Sequence, residues 1–253
     1  MAKKSIDPQE VWNDISSGTD DAGLMRKYNL TMRGLMDLFI KLHESGKISA
    51  SDIERRMPAP TTKLNIRNQF TDEIIFREAA HTVKDLVESA IRSGADLAEA
   101  DLSGANLFGL KGAGAALSEA GLFRVNLGSA DLSRALLFRA ELSDAILKGA
   151  VLRSAELSEA NLVAADISGG DLVGACLVRA NLDRANLENA DLTNADLTEA
   201  RLVGANLTGA NLTAAKLMRA DLEQANLTSA KLETADLDGA DLTSAILEGT
   251  LIK

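Results

Sequence analysis

The chain has 253 residues, of which 37 are acidic and 27 are basic, and its net charge at pH 7 is −10. It contains no run of 18 or more apolar residues and no signal-peptide pattern, which excludes a membrane-spanning helix and predicts a cytoplasmic protein. The single cysteine, Cys176, excludes an intramolecular disulfide framework.

Residues 1–56 are predicted to form a small helical module. The run Asp7-Pro8-Gln9-Glu10 combines an N-cap aspartate, a proline at the first helical position and a glutamate at the third, which predicts a helix to about Ser16. A second helix is predicted over residues 20–28. A third is indicated by an apolar stripe at helical spacing, formed by Leu35, Leu38, Phe39 and Leu42.

The segment LMRKYNLTMRGLMDLFIKL in this module resembles a helix-turn-helix. The resemblance places Thr31 and Arg33 at the start of the recognition helix, with Lys41 further along its groove-facing side. These three residues are therefore the candidate nucleic-acid contacts. The alternative is a module for protein docking or dimerisation, since residues 1–94 carry 14 acids and 14 bases and DNA-binding modules are normally basic.

Two segments are predicted between this module and the rest of the chain. Residues 57–70, with Pro58-Ala59-Pro60, are predicted to be a linker. Residues 71–93 are predicted to form one helix that covers the exposed end of the following domain. Its apolar face would consist of Ile75, Ala79, Val83, Leu86, Val87 and Ala90.

Residues 94–253 consist of a five-residue repeat, as in the stretch NADLTNADLTEARL from Asn189 to Leu202. Every residue whose number ends in 2 or 7 between 97 and 252 is leucine, except Gly112, Ile167 and Ile252. Alanine usually stands two residues earlier. A helix would scatter these leucines around its axis and a strand would alternate them between two faces, so the chain must turn within each unit.

The A(D/N)LxX unit resembles that of the pentapeptide-repeat proteins. The resemblance implies a mainly β fold: a right-handed quadrilateral β-helix with one pentapeptide per side and four per coil. The 32 units would form about eight coils and a rod about 38 Å long at 4.8 Å per coil. The central leucine and the preceding alanine would point inward, and the other three positions outward.

Apolar residues at outward positions are the candidate partner site, because most outward positions are polar. We expect this patch to comprise Phe108, Phe123, Leu136, Phe138, Ile146, Val163 and Val178. The alternative is that the N-terminal helices cover it. At the other end, Ile246, Leu251 and Ile252 form a candidate rim for a homodimer stacked end to end through the C-terminal coil, as the family resemblance also implies.

Three hypotheses of function follow. The first is a non-catalytic interaction protein, with a rigid rod as binding surface and an N-terminal recruitment module. The second comes from the resemblance: some pentapeptide-repeat proteins mimic DNA and bind DNA gyrase, and all of this chain's excess negative charge lies in residues 95–253, with 23 acids and 13 bases. The third is a DNA-binding regulator acting through the helix-turn-helix-like segment.

Enzymatic activity has no support in the sequence. The repeats contain no nucleophile with a paired base, no phosphate-binding glycine loop and no cluster of metal ligands. The sequence therefore predicts a protein that is not an enzyme and needs no cofactor or metal.

Overall fold

The computed structural model describes residues 8–17, 19, 21–28, 35, 38–39, 42 and 63–251. The chain divides into two compact units, Met1–Ala59 and Pro60–Lys253. Among the described residues, no helix is both long and apolar enough to span a bilayer.

The described part of the first unit contains two helices, α1 (Pro8–Ser16) and α2 (Asp21–Tyr28). Both agree with the predicted helices to within one residue. Their apolar residues join a buried cluster made of Val11, Leu24, Leu35, Leu38, Phe39 and Leu42.

An ion pair joins the two helices at the surface. Lys27 Nζ lies 2.6 Å from Asp14 Oδ2, and the Tyr28 hydroxyl donates to the same oxygen at 2.6 Å. The hydrogen bond from Lys27 is the main reason why the pKa of Asp14 is lowered.

The second unit is a β-helix solenoid preceded by a hairpin and a helix. Strand β1 (Lys63–Arg67) pairs antiparallel with β2 (Ile74–Ala79), and helix α3 (Val83–Arg92) follows. From residue 101 onward, the outward residue before each central position forms a parallel bridge with the residue 20 positions later, from Asp101–Gly121 to Lys231–Leu251. Each coil therefore takes 20 residues, or four five-residue units.

Backbone hydrogen bonds explain why the units stack. The N–H of Leu192 donates to the carbonyl of Asn211 in the next coil at 2.7 Å, and the N–H of Asn211 donates back to the carbonyl of Ala190 at 2.9 Å. The same two bonds recur along the rod. The repeat thus satisfies the backbone of one coil only through its neighbours, as expected of a solenoid.

The turn within each unit explains the preference for Asp and Asn before the leucine. The carboxylate of Asp191 accepts a hydrogen bond from the N–H of Thr193 at 3.0 Å, and the N–H of Ala195 donates to the carbonyl of Leu192 at 2.9 Å. The residue in between, Asn194, has a φ of 58°, in the left-handed region. Short polar side chains favour this local turn, which changes the direction of the chain every five residues.

The core of the rod is a column of leucines and alanines. The central leucines from Leu97 to Leu232 are at most 3% exposed, and the preceding alanines are buried in the same cluster over most of this length. Gly112 is the exception in the column, and a Cβ added there would lie 3.1 Å from Cδ2 of Leu110 and 3.0 Å from Cδ2 of Leu132. Leu110 fills the missing volume, and the bridges continue without a bulge.

The predicted capping helix over residues 71–93 is wrong in its first half. Residues 74–79 form a strand, and the helix begins only at Val83, after the N-cap Thr82 with its reciprocal bonds to Asp85. The predicted linker over residues 57–70 likewise contains strand β1. A turn between the two strands lets the chain form a hairpin here instead of a helix. In this turn Asn68 Oδ1 accepts hydrogen bonds from two backbone N–H groups, and Asp72 adopts a φ of 58°.

The hairpin and α3 together contact the first coil. The N–H of Asp101 donates to the carbonyl of Arg67, and the N–H of Gln69 donates to the carbonyl of Glu99, both at 2.7 Å. Glu88 in α3 accepts a bond from the N–H of Lys111 at 3.1 Å. The hairpin edge thereby takes the place of a preceding coil, which explains why these residues form strands.

Candidate interaction surface

The outward residues fall into columns that recur every 20 residues, and three of these columns hold the predicted patch. We name them by one member each. The Phe138 side comprises residues 116–119 and their equivalents 20 residues apart up to 216–219. The Phe123 side comprises 121–124 to 221–224, and the Phe108 side comprises 106–109 to 226–229.

The predicted patch is spread over all three sides. Leu136, Phe138 and Val178 lie on the Phe138 side, Phe123 and Val163 on the Phe123 side, and Phe108 and Ile146 on the Phe108 side. The exposed fraction is 56% for Phe108, 48% for Leu136, 47% for Ile146 and 38% for Phe123. Phe138, Val163 and Val178 are half-buried.

Each of two phenylalanines is stacked against the arginine that follows it. The guanidinium of Arg124 lies 4.7 Å from the ring centroid of Phe123, and that of Arg139 lies 4.8 Å from the ring centroid of Phe138. Such contacts orient both groups. Each phenylalanine therefore presents a mixed aromatic and cationic surface.

These arginines also reach the next coil. Arg139 Nε donates to Glu159 Oε2 at 2.7 Å, and Arg124 Nε donates to Asp144 Oδ2 at 3.4 Å. The charges are thus held over the rings by an acid one coil away.

Phe108 has a different environment because it lies beside the end of the rod covered by α3. Its carbonyl accepts a hydrogen bond from Lys84 Nζ at 2.9 Å. Its ring lies over Gly128 in the next coil, where a Cβ would approach the ring to 3.0 Å. Helix α3 therefore contacts the backbone of Phe108 while leaving the ring exposed.

The Phe138 side carries a row of charged residues that the sequence analysis did not predict. Position 119 and its next five equivalents read Glu119, Arg139, Glu159, Arg179, Glu199 and Arg219, so the sign of the charge alternates over six coils, between Glu99 before them and Gly239 after them. The sequence signal for this row is a charge of the same sign that recurs every 40 residues.

Ion pairs connect this row. Arg179 Nε donates to Glu199 Oε2 at 2.7 Å, and Arg219 Nη1 lies 3.5 Å from Glu199 Oε1. The hydrogen bond with Glu199 raises the pKa of Arg179, and the same bond is the main cause of the lowered pKa of Glu199. Both groups therefore keep their charges over the physiological pH range.

An open depression lies on the remaining side of the rod. It is lined by Ala113, Gly114, Ser133, Arg134, Arg153, Ser154 and Val173. Arg153 Nε donates to Asp171 Oδ2 at 2.5 Å. Two arginines and two serines could contact an anion there, but the site holds no nucleophile with an adjacent base. Among the side chains that the structure describes, no group of three or more His, Cys, Asp or Glu is arranged to hold a metal ion.

The predicted dimer rim is exposed where it is described. Ile246 is 51% exposed and Leu251 is 49% exposed, and the inward-pointing Leu247 beside them is 40% exposed. Ile252 lies outside the described residues, as do the candidate nucleic-acid contacts Thr31, Arg33 and Lys41.

Comparison with known proteins identifies the repeat. A family model described as pentapeptide repeats (8 copies) matches residues 115–153, 135–174, 175–213 and 215–252. No curated protein matches the chain.

Solved structures similar to the chain include HetL, a pentapeptide repeat protein involved in heterocyst differentiation regulation from the cyanobacterium Nostoc sp. strain PCC 7120. It is 35% identical over 62% of this chain and 81% of that one, with a TM-score of 0.26. A pentapeptide repeat protein from the Arabidopsis thaliana thylakoid lumen is 31% identical over 34% of this chain, with a TM-score of 0.33, and the match spans only 59% of its own length. A trypsin-treated variant of QnrB1, a plasmid-mediated fluoroquinolone resistance protein, is 23% identical over 60% of this chain and 77% of that one, with a TM-score of 0.40.

Proposed function

The chain belongs to the pentapeptide repeat family, and from this premise we propose that it is a non-catalytic interaction protein whose rod displays a protein-binding surface. We also propose that the coils are right-handed and quadrilateral: the 20-residue spacing of the bridges supports four sides per coil, and the right-handed sense is what the family resemblance implies. The cytoplasmic location stays a prediction of the sequence.

The observation that carries this proposal is the mixed surface of the Phe138 and Phe123 sides. Arginine-stacked phenylalanines and half-buried valines stand there on a scaffold held by regular backbone hydrogen bonds. Aromatic residues and arginine are enriched among the residues that dominate the energy of protein interfaces. A rigid backbone also lowers the entropic cost of binding.

Capture of partners by the tagged full-length protein tests the proposal. Nuclease-treated native extract is passed over the wild type, over Phe123→Asp and Phe138→Asp variants, and over a Phe70→Asp control. Phe70 is 68% exposed but lies in the hairpin turn, outside the three sides. We expect both rod variants to lose partners that the control retains, with unchanged thermal unfolding. If both rod variants retain every partner, the surface is not a binding site.

A DNA-mimic modulator of DNA gyrase is the second candidate function. It is favoured by the acidity of the rod, since residues 95–253 carry 23 acids against 13 bases while residues 1–94 are neutral. Dense negative charge attracts basic clefts that bind DNA. We expect micromolar protein to alter gyrase supercoiling under this hypothesis, and an unchanged supercoiling rate would exclude it.

For the N-terminal module, residues 1–56, we propose a recruitment role. A DNA-binding role through Thr31, Arg33 and Lys41 is the alternative, and it requires binding that weakens steeply with salt. Fluorescence anisotropy of duplex DNA with the full-length protein at two salt concentrations distinguishes the two.

An end-to-end homodimer through Ile246, Leu251 and Ile252 is part of the same proposal. The exposure of Ile246 and Leu251 supports it. An Ile246→Asp variant should then sediment with a lower average mass than the wild type at the same protein concentration.

A further inference from the structure

The Phe138 side has a repeat of two coils superimposed on the repeat of one coil. Three rows pair an apolar residue with arginine: Phe138-Arg139, Val178-Arg179 and Met218-Arg219. The three rows between and before them pair a small hydroxyl residue with glutamate: Ser118-Glu119, Ser158-Glu159 and Thr198-Glu199. Adjacent strands lie about 4.8 Å apart, so rows of one kind recur every 9.6 Å or so.

Because of this alternation, both the size and the charge of the side chains vary from row to row. Phe138, Val178 and Met218 are larger than the serine or threonine of the neighbouring rows, and all three are half-buried. We call the rows with the larger apolar residue and arginine ridges, and the rows with the small hydroxyl residue and glutamate grooves.

We propose that this face docks onto the same face of a second copy of the chain, with the two rods antiparallel. A two-fold axis between the Ser158 and Val178 rows sets every ridge of one copy against a groove of the other. Glutamate then faces arginine in each row: Glu119 opposite Arg219, Glu199 opposite Arg139, and Glu159 opposite Arg179.

Symmetry explains why a second copy fits better than an unrelated segment. The two faces share one spacing, so the register does not drift along the rod, and a two-fold interface uses the same patch on both subunits. A parallel pair would set each ridge against itself, because a two-fold axis along the rod relates each row to its own equivalent. The antiparallel arrangement is therefore the self-complementary one.

The neighbouring column of outward residues is compatible with this arrangement. The same axis sets Glu156 opposite Cys176, Asp196 opposite Leu136 and Lys216 opposite Ala116. Within the six rows from 116–119 to 216–219, no two like charges stand opposite each other, whereas the flanking rows set Asp96 opposite Asp236. Opposed like charges disfavour a complex, so the electrostatic complementarity that the proposal needs is a property of these six rows.

The inference rests on the proposed function only in treating the Phe138 side as a binding surface, and it names a second copy as the occupant. The contact is narrow, one side of a rod, and interfaces of small area are weak. We therefore expect a weak dimer that exchanges subunits and whose population rises with protein concentration.

Charge reversal provides the decisive test by sedimentation equilibrium of the full-length protein. Arg179→Glu sets two glutamates opposite each other at both symmetry-related contacts, and Glu159→Arg sets two arginines there. Each variant alone should dimerise roughly tenfold more weakly than the wild type. A mixture of the two should recover a heterodimer, since glutamate again faces arginine at both contacts.

The matched control is Arg201→Glu, which also reverses an arginine in an ion pair. Arg201 Nη2 lies 2.8 Å from Asp183 Oδ2 on the Phe123 side, away from the proposed contact. This variant should dimerise like the wild type. A monomeric wild type, a dimer insensitive to Arg179→Glu, or a mixture that stays monomeric would each overturn the proposal.

The single cysteine distinguishes this dimer from the end-to-end one. Across the proposed axis, the two copies of Cys176 are offset by one coil and separated by the gap between faces, about 11 Å in all. In an end-to-end dimer each Cys176 lies almost four coils from the C-terminal end of the described rod, so the pair would be about 36 Å apart. A short bismaleimide of roughly 10 Å reach should cross-link the first dimer only.

Both outcomes of the cross-linking bear on the proposal. Cross-linked dimer in the wild type and in Arg201→Glu, with loss in Arg179→Glu, supports it. A sedimenting dimer whose Cys176 reacts with a monofunctional maleimide but does not cross-link contradicts it. Partner capture through the Phe123 side would still stand in that case, so failure here is separable from failure of the proposed function.

Discussion

Truncation of one central leucine should show how the rod is stabilised. Leu192 is fully buried, with Leu172 before it and Leu212 after it in the column, both also fully buried. Leu→Ala removes three carbon atoms, which costs about 2.4 kcal/mol in transfer free energy at 0.8 kcal/mol per methylene. The cavity that remains between two rigid coils raises the expected loss to roughly 3–5 kcal/mol.

The control is the same substitution at Leu247, in the last described coil. Leu247 is 40% exposed and has a fully buried leucine, Leu227, on one side only. The transfer cost is then about 1.4 kcal/mol, and a site open to water leaves no closed cavity.

Urea unfolding followed by far-UV circular dichroism measures both changes. We expect the free energy of unfolding to fall at least twice as much for Leu192→Ala as for Leu247→Ala, with similar dependence on urea concentration. Equal losses at the two positions would mean that burial between two neighbouring coils is not what stabilises the column. The reasoning would then be refuted.

Three further changes test individual features of the second unit. Gly112→Leu should destabilise the rod by about 1–3 kcal/mol because Leu110 already occupies the space, and adding Leu110→Ala should restore part of the loss in thermal unfolding. Thr82→Ala should cost about 1 kcal/mol by removing the capping box of α3, which urea unfolding would detect. The hydrogen bond with Arg179 is the main cause of the lowered pKa of Glu199, so the ionised carboxylate stabilises the folded state fully above the ordinary carboxyl pKa. This stabilisation is lost as the pH falls through the lowered pKa. Stability measured from about pH 5 to about pH 3 should therefore fall less in Glu199→Gln than in the wild type, and parallel curves would contradict this assignment.

The regular part of the fold follows from the sequence because its cause is local. A leucine every five residues fits neither a helix nor a strand, and the Asp or Asn before it favours a turn that its own side chain stabilises. The same local rules, applied 20 residues apart, give the stacked coils of the solenoid. Even the compensation of Gly112 by Leu110 could be predicted, since the two residues lie in adjacent units.

The capping segment could not be predicted in the same way. Residues 74–79 have apolar positions that suit a helix as well as a strand, and their strand partner, β1, lies in a segment that read as a linker. What favours the strand is the hairpin's contact with the first coil, where Arg67 and Gln69 bond to backbone groups of Asp101 and Glu99. Local propensity is a weak determinant when such a pairing is available.

By itself, therefore, the sequence determined the coil: which side chains point inward, where the chain turns, and that its acidic excess lies on the rod. Only the tertiary structure decided how the outward side chains contact one another: arginines cover the rings of Phe123 and Phe138. It also brought Arg179 and Glu199 into contact across a coil. The physical reason is the separation along the chain of the residues that interact. A turn depends on residues adjacent in sequence, whereas these contacts join residues that come within a few ångströms only because the coils stack.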